Sequence, residues 1–383
     1  MQGNKDRILT THVGSLPRTV EVLDAMKAKL NDGNYDEDGY QANISAGVAN
    51  IVKKQAALGI DVVTDGEMSK SGFFTYIEER MEGFESRKNE KFRLFEAEIN
   101  AFPEYYKEYM ERAMMGGQVV QMFPMYCVGP VSYRGHDAVQ RDITNLKAAL
   151  KNVDVKGAFI PATAPAGVGY NEYYNSEEEF AEAVAEALRS EYEAIVDAGF
   201  LLQIDDPFLC DILVDPRLDD AGKDRKANTY VDAINYSTRN IPEEKIRFHT
   251  CYGINEGPRI HEASGGEVAK YMMNIKAGSY SFEAANPRHE HDYHIWETLK
   301  LPEGRALIPG VITHASNIVE HPELIAERLV RYAKLVGREN VLAGGDCGFS
   351  SQACYHTEVH PDVIWAKFEA MAQGAELATK QLW

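Results

Sequence analysis

From Asp61 to the end of the chain, short apolar runs alternate with longer stretches whose apolar positions recur at helical spacing. That alternation predicts a parallel sheet whose strands are joined by crossover helices. The apolar runs end at Val13, Thr64, Val128, Ile160, Ile204, Phe248, Phe282, Val311 and Ala343. An eight-stranded barrel uses one fewer, so the run ending at Val128 is expected outside the barrel or at its rim. One helix is sharply delimited: Ser176 followed by Glu177, Glu178 and Glu179 reads as a capped acidic first turn, and Gly199 after Ala198 as its stop.

Residues 70–125 break this rhythm with dense charge, helical spacing and many aromatics, among them Phe73, Phe74, Tyr76, Phe84, Tyr105, Tyr106 and Tyr109. They are expected to form a helical insertion on a barrel loop, serving as a packed excursion or an oligomer contact rather than a substrate lid. With that insertion, residues 1–383 are read as a single domain, since α/β barrels exceed the usual domain length. The Ser264-Gly265-Gly266 run has too few glycines, and no Lys-Ser or Lys-Thr after it, to be a phosphate loop.

Charge and cysteine content narrow the partners. A formal net charge of −19 and a pI near 5.1 argue against nucleic acid and anionic membrane, which both need an electropositive surface. No run approaches the roughly 18 to 20 apolar residues that span a bilayer, and the start, Met1 to Arg7, lacks a signal-peptide core. Cys127, Cys210, Cys251, Cys347 and Cys354 are too few for a disulfide framework in 383 residues. The expectation is an enzyme acting on small molecules in a reducing cytoplasm, where thiolates stay available to a metal.

Candidate ligands sit at the ends of the apolar runs. His249 and Cys251 are two apart on one strand and so point to the same side. Glu283 and Cys347 each end a further run, and the carboxyl ends of barrel strands are where active sites gather. One imidazole, two thiols and a carboxylate suit zinc. Their negative charge makes a bound zinc a poor activator of water, yet it can hold an incoming thiol as thiolate. A free thiol has a pKa near 8.5, so only a few per cent is ionised at pH 7, and the pattern points to thiol alkylation rather than hydrolysis. A purely structural zinc would have tightly spaced ligands, whereas these run from position 249 to 347. Glu283 is the ligand expected to yield when the thiol binds.

Glu67 and Asp205 each follow a strand, where an acid is out of place unless it faces a site, and the pair would suit a substrate ammonium group. The turn from Val13 through Gly14 and Ser15 to Arg18 offers backbone donors, a hydroxyl and a guanidinium to an anionic group. His12 and His314 are candidate proton donors, and Asp346 beside Cys347 is a candidate orienting partner.

Taken together, Thr10 to Pro17, Asp65-Gly66-Glu67, Gln203 to Pro207, His249 to Tyr252, Phe282-Glu283 and Asp346-Cys347-Gly348 resemble the catalytic barrel of cobalamin-independent methionine synthase and its short single-barrel relatives. The matches occur in family order over nearly the whole chain. The resemblance implies a (β/α)8 barrel, zinc held by His249, Cys251, Glu283 and Cys347, and homocysteine held by Gly14, Ser15, Glu67 and Asp205. Glu290 and His289 are the fallback for Glu283. Two departures bear on the alkyl donor. The N-terminal half of the two-barrel enzymes has no counterpart, and Ile160 to Gly167 lacks the tryptophan that helps place their folate. Asn171 to Tyr174 and Glu256 to Arg259 look more like short relatives, some of which transfer coenzyme M to epoxides. The alternative expectation is therefore a thiol such as coenzyme M, with Arg18 or Arg259 at its sulfonate, attacking an epoxide.

Overall fold

The computed structural model describes residues 6–32, 35–111, 119 and 122–383. Its strands are β1 (Val62–Thr64), β2 (Met81–Ser86), β3 (Met125–Tyr133), β4 (Gly157–Thr163), β5 (Tyr170–Asn171), β6 (Leu201–Asp205), β7 (Ile246–Thr250), β8 (Ser279–Phe282), β9 (Ala306–Ile312) and β10 (Gly344–Gly345). A curled seven-stranded sheet has the order β1-β4-β6-β7-β8-β9-β10, and every neighbouring pair in it is parallel. Segment 9–11 touches both outer strands' neighbourhoods: Thr11 N donates to Ala343 O and Ala343 N to Leu9 O, while Asp61 N and Val62 N donate to Thr10 O.

Helices connect the strands, as the alternation predicts: α1 (Val20–Lys27), α2 (Glu37–Ala57), α3 (Glu96–Ala101), α4 (Pro103–Tyr109), α5 (His136–Leu150), α6 (Glu177–Asp197), α7 (Phe208–Val214), α8 (Asp220–Ser237), α9 (Gly265–Met272), α10 (Pro322–Val336) and α11 (Pro361–Leu382). In α6 the Ser176 hydroxyl accepts from Glu179 N, and Phe180, Val184, Leu188 and Ile195 recur on the buried face. Sheet residues Ile160, Leu202, Ile204, Phe248 and Leu307 are fully buried, as expected of parallel strands covered by helices.

The run ending at Val128 lies outside this sheet, within a three-stranded sheet of order β2-β3-β5. Residues 70–125 are accordingly not a purely helical insertion. Their β2 runs antiparallel to β3 around an irregularity at Gly83, and the two helices that follow, α3 and α4, are short. A buried cluster ties this segment down: Arg80 bonds Asp142 at 2.6 Å on α5 and Glu191 at 3.0 Å on α6, with Tyr76 also on Glu191.

Candidate functional site

Strand register assembles the site. Thr163 pairs with Asp205, Asp205 with His249, and His249 with Ser281, so Asp205 and His249 form part of one row at the carboxyl ends of β4, β6, β7 and β8. Partners in register project to the same face, which brings an acid and an imidazole from separate strands side by side. Cys251 follows β7 and Cys347 follows β10. Their sulfurs lie 3.0 Å apart, and the ligand atoms of His249, Cys251 and Cys347 all fall within 4.8 Å of one another.

The chemistry of this cluster fits a metal. Nδ1 of His249 meets the Ser281 hydroxyl at 3.1 Å, whereas its Nε2 is buried without a partner, a costly state unless something binds it. Burial lowers the His249 pKa to about 3, so the ring is neutral and its nitrogen available at pH 7. The Cys251 contact, and then burial, push the Cys347 thiol well above its ordinary value when no ion is bound.

The structure does not bring the Glu283 carboxylate into this cluster. Glu283 Oε2 pairs with Arg259 at 2.7 Å and accepts from Asn286 Nδ2 at 2.7 Å, and Oε1 accepts from Tyr252 N at 3.0 Å. It falls instead in a second buried group with His314 and Asp346. The fallback residues are elsewhere: His289 is held between Glu262 and Asp292, and Glu290 pairs with Arg328.

His249, Cys251 and Cys347 open into a cavity of about 730 Å³ that Ser15, Glu67 and Asp205 also line. Gly14 is packed against Glu67 and Pro161: at φ 144°, a Cβ on it would come within 2.7 Å of Pro161 Cγ and 3.0 Å of Glu67 Oε1. Gln203 fixes the adjoining backbone by donating to Val13 O, and also donates to Asp205 at 2.8 Å. Burial raises the Glu67 pKa to about 7, and Glu67 Oε2 has no partner. Burial, followed by the Glu67 charge, pushes Asp205 well above the carboxylate range. Two desolvated acids facing one cavity make a seat for a cation.

Four expected residues are placed differently. Arg18 is buried, with Nη1 on Ser350 O and Nη2 on the carbonyls of Glu67 and Lys70, so it braces the site wall and has little left for a ligand anion. His12 is also structural: Nε2 meets Gln55 at 2.8 Å, Nδ1 accepts from Gly14 N, and burial lowers its pKa to about 4. His314 is buried with both ring nitrogens unpartnered, beside Glu283 and outside the cavity wall. Asp346 accepts from Ala284 N and Ala285 N at 2.7 and 2.8 Å, so it shapes the turn just after Glu283.

Sequence reasoning missed the far wall of the cavity. Phe73, Phe74, Phe92, Phe95 and Phe208 line it, with Tyr106 and Tyr109 from α4. The segment read as a packed excursion or oligomer contact is thus part of the site. Its high density of aromatics among charges was the available signal, since so many rings need a partner surface.

These features define a class: an α/β protein with a His-Cys-Cys metal-capable cluster and an acid pair at the carboxyl ends of a curled parallel sheet. The model of the catalytic domain of cobalamin-independent synthases matches residues 8–132 and 143–363, and the chain belongs to that family. It is 25% identical over 372 residues to a 5-methyltetrahydropteroyltriglutamate–homocysteine methyltransferase of Mycolicibacterium paratuberculosis, covering 96% of this chain and 42% of that protein. The chain thus spans less than half the length of that relative. It is 23% identical to a methionine synthase of Thermococcus kodakarensis, covering 97% of this chain and 94% of the relative. Among solved structures, a B12-independent methionine synthase from Shewanella, in complex with selenomethionine, shares the fold with a TM-score of 0.75 at 19% identity, covering 98% of this chain and 99% of that one.

Proposed function

We propose that the protein is a zinc-dependent S-alkyltransferase that methylates a small thiol, homocysteine. The observation that carries this reading is the shared cavity: an orphaned His249 Nε2 and two thiols lie on the same wall system as the Glu67 and Asp205 pair. Bound zinc would supply a Lewis acid that keeps a substrate thiol ionised at neutral pH. His249, Cys251 and Cys347 would hold it, and three protein ligands leave a position for substrate.

The chain's own residues do the rest. Glu67 and Asp205 take the substrate ammonium group, and the Gly14-Ser15 turn receives its carboxylate. The phenylalanine wall excludes water and receives the alkyl donor. As the sulfur–methyl bond forms, the bond between methyl and leaving group breaks and the leaving group keeps the electron pair. The relatives' names specify homocysteine as methyl acceptor or methionine synthesis, in keeping with an acid pair suited to an amino acid. Coenzyme M fits less well, because a sulfonate gains nothing from two acids, and Arg18 and Arg259 both lie outside the cavity lining with two guanidinium nitrogens of each already paired.

Two wider readings accompany this one. The sheet is closed into a (β/α)8 barrel by segment 9–11 as the eighth strand, and the whole chain works as one domain, the 70–125 segment included. The setting is cytoplasmic; among the described residues, no helix is long and apolar enough to cross a membrane. The test is thiol consumption by the zinc-loaded protein with a panel of methyl donors and epoxides. Methyl transfer to homocysteine is expected; consumption of coenzyme M with an epoxide, and none of homocysteine, would overturn the reading.

A further inference from the structure

Behind the acid pair lie two buried cations that the proposed reaction leaves unused. Glu67 and Asp205 line the cavity, whereas Lys70 and Arg247, 1% and 0% exposed, do not. Lys70 Nζ donates to Pro161 O and sits 4.3 Å from the centre of the Tyr76 ring. Arg247 donates to Thr11 Oγ1 and His12 O, with its guanidinium 3.8 Å over the Phe159 ring. Among the described residues neither cation joins an ion pair, a costly state for a buried charge unless its field is used.

The fold sets the order cavity, acids, cations. Pro161, Gln203 and Arg247 are register partners two residues before Thr163, Asp205 and His249, so they form the next row below the carboxyl rim on the same face. Lys70 meets that row through Pro161. Its backbone is fixed to that of the acid: Lys70 N donates to Glu67 O at 3.1 Å, and Arg18 Nη2 donates to the carbonyls of both residues. Glu67 is held at φ 57°, in the left-handed region that an L side chain adopts only where the surroundings enforce it, and its N donates to Asp65 Oδ1 at 3.0 Å. One turn therefore carries the acid toward the cavity and the cation behind it. Burial pushes the Glu67 carboxyl up, and Lys70 is the foremost charge pulling it back. A protonated acid would offer an ammonium group little.

We propose that Lys70 makes the cavity selective for a thiol bearing an ammonium group, by holding the Glu67 carboxylate charged from the side away from the substrate. Lys70 is thus a positioning residue that acts through Glu67. This rests on the reading of Glu67 and Asp205 as the seat of an amino-acid substrate. The rival purpose for its charge is Glu191, which already has Arg80 at 3.0 Å and accepts from the hydroxyls of Tyr76 and Tyr133. Arg247 stands two residues before His249, so Lys70, on a separate segment, is the probe that leaves the thiol cluster alone.

The test is calorimetric titration of the zinc-loaded protein with homocysteine and with γ-mercaptobutyrate, the same thiol without its amino group, for the wild type, Lys70→Gln and Lys70→Arg. Glutamine keeps a donor for Pro161 O without the charge, and arginine keeps the charge. Wild type is expected to prefer homocysteine about a hundredfold, the low end for removing one partner of a buried charged pair. Lys70→Gln should bring that preference below about tenfold and leave γ-mercaptobutyrate binding within about twofold, while Lys70→Arg should restore it. Equal losses for both thiols, or an unchanged or larger preference in Lys70→Gln, would overturn the proposal. In a Glu67→Gln background, Lys70→Gln should change the preference no further; a further drop would show that Lys70 does not act through Glu67, and this pair decides even if Lys70→Gln alone does not fold. A wild type that binds both thiols alike would overturn the homocysteine reading itself, whereas a preference retained in Lys70→Gln leaves that reading standing.

Discussion

His249 and Cys251 were legible in the sequence because strand alternation alone puts residues two apart on one side. Glu283 and Arg18 were legible as residues but not in their partners. Arg259 reaches Glu283 from a loop 24 positions away, and Arg18 is absorbed by backbone carbonyls, which any sequence offers everywhere. At this scale Glu67 gives a test with a definite sign. Its folded carboxyl holds its proton up to about pH 7, whereas the unfolded one releases it near 4.5. Between those values the folded state binds more protons, so stability falls as pH rises through the window. Glu67→Gln should remove about 2 kcal/mol of that fall, read from chemical denaturation of the metal-free protein at pH 5 and pH 7.5. Equal pH slopes in both proteins would show that the acid is not desolvated.

The helices were legible as elements where caps and apolar periodicity agreed, as between Ser176 and Gly199. The strand β2 was not. Met81 to Ser86 carries two glutamates and a glycine, is largely half-exposed, and gains its strand character from pairing with β3, a tertiary cause that local pattern does not carry. Its anchoring makes an element-scale prediction. Arg80 joins the segment to α5 and α6 through two buried carboxylates, and removing one member of a buried ionic group leaves the others uncompensated. Arg80→Met should therefore cost about 3 to 5 kcal/mol and loosen the cavity wall, seen as faster hydrogen exchange across residues 73–86. A stability change below about 1 kcal/mol would mean that the ion group is not what fixes the segment.

For the whole molecule, the order of strands explains why a site spread from Gly14 to Cys347 is compact. A curled parallel sheet collects all carboxyl ends at one rim, so residues far apart in sequence share one cavity. Segment order and the motif positions were readable, while the cavity's aromatic wall emerged only from the packing of residues between Phe73 and Tyr109 over that rim. Because the two thiols proposed to bind zinc follow β7 and β10, which are not adjacent, a bound ion would cross-link the sheet. Zinc removal by chelator should lower the melting temperature, and readdition at a hundred times Kd should restore about 2.7 kcal/mol. Cys347→Ser should abolish most of this response. The most direct test of the central claim is zinc K-edge X-ray absorption of the protein with and without homocysteine. Two sulfur ligands and one imidazole are expected at rest, and a third sulfur with homocysteine bound; an unchanged sulfur count at saturating homocysteine would contradict the account.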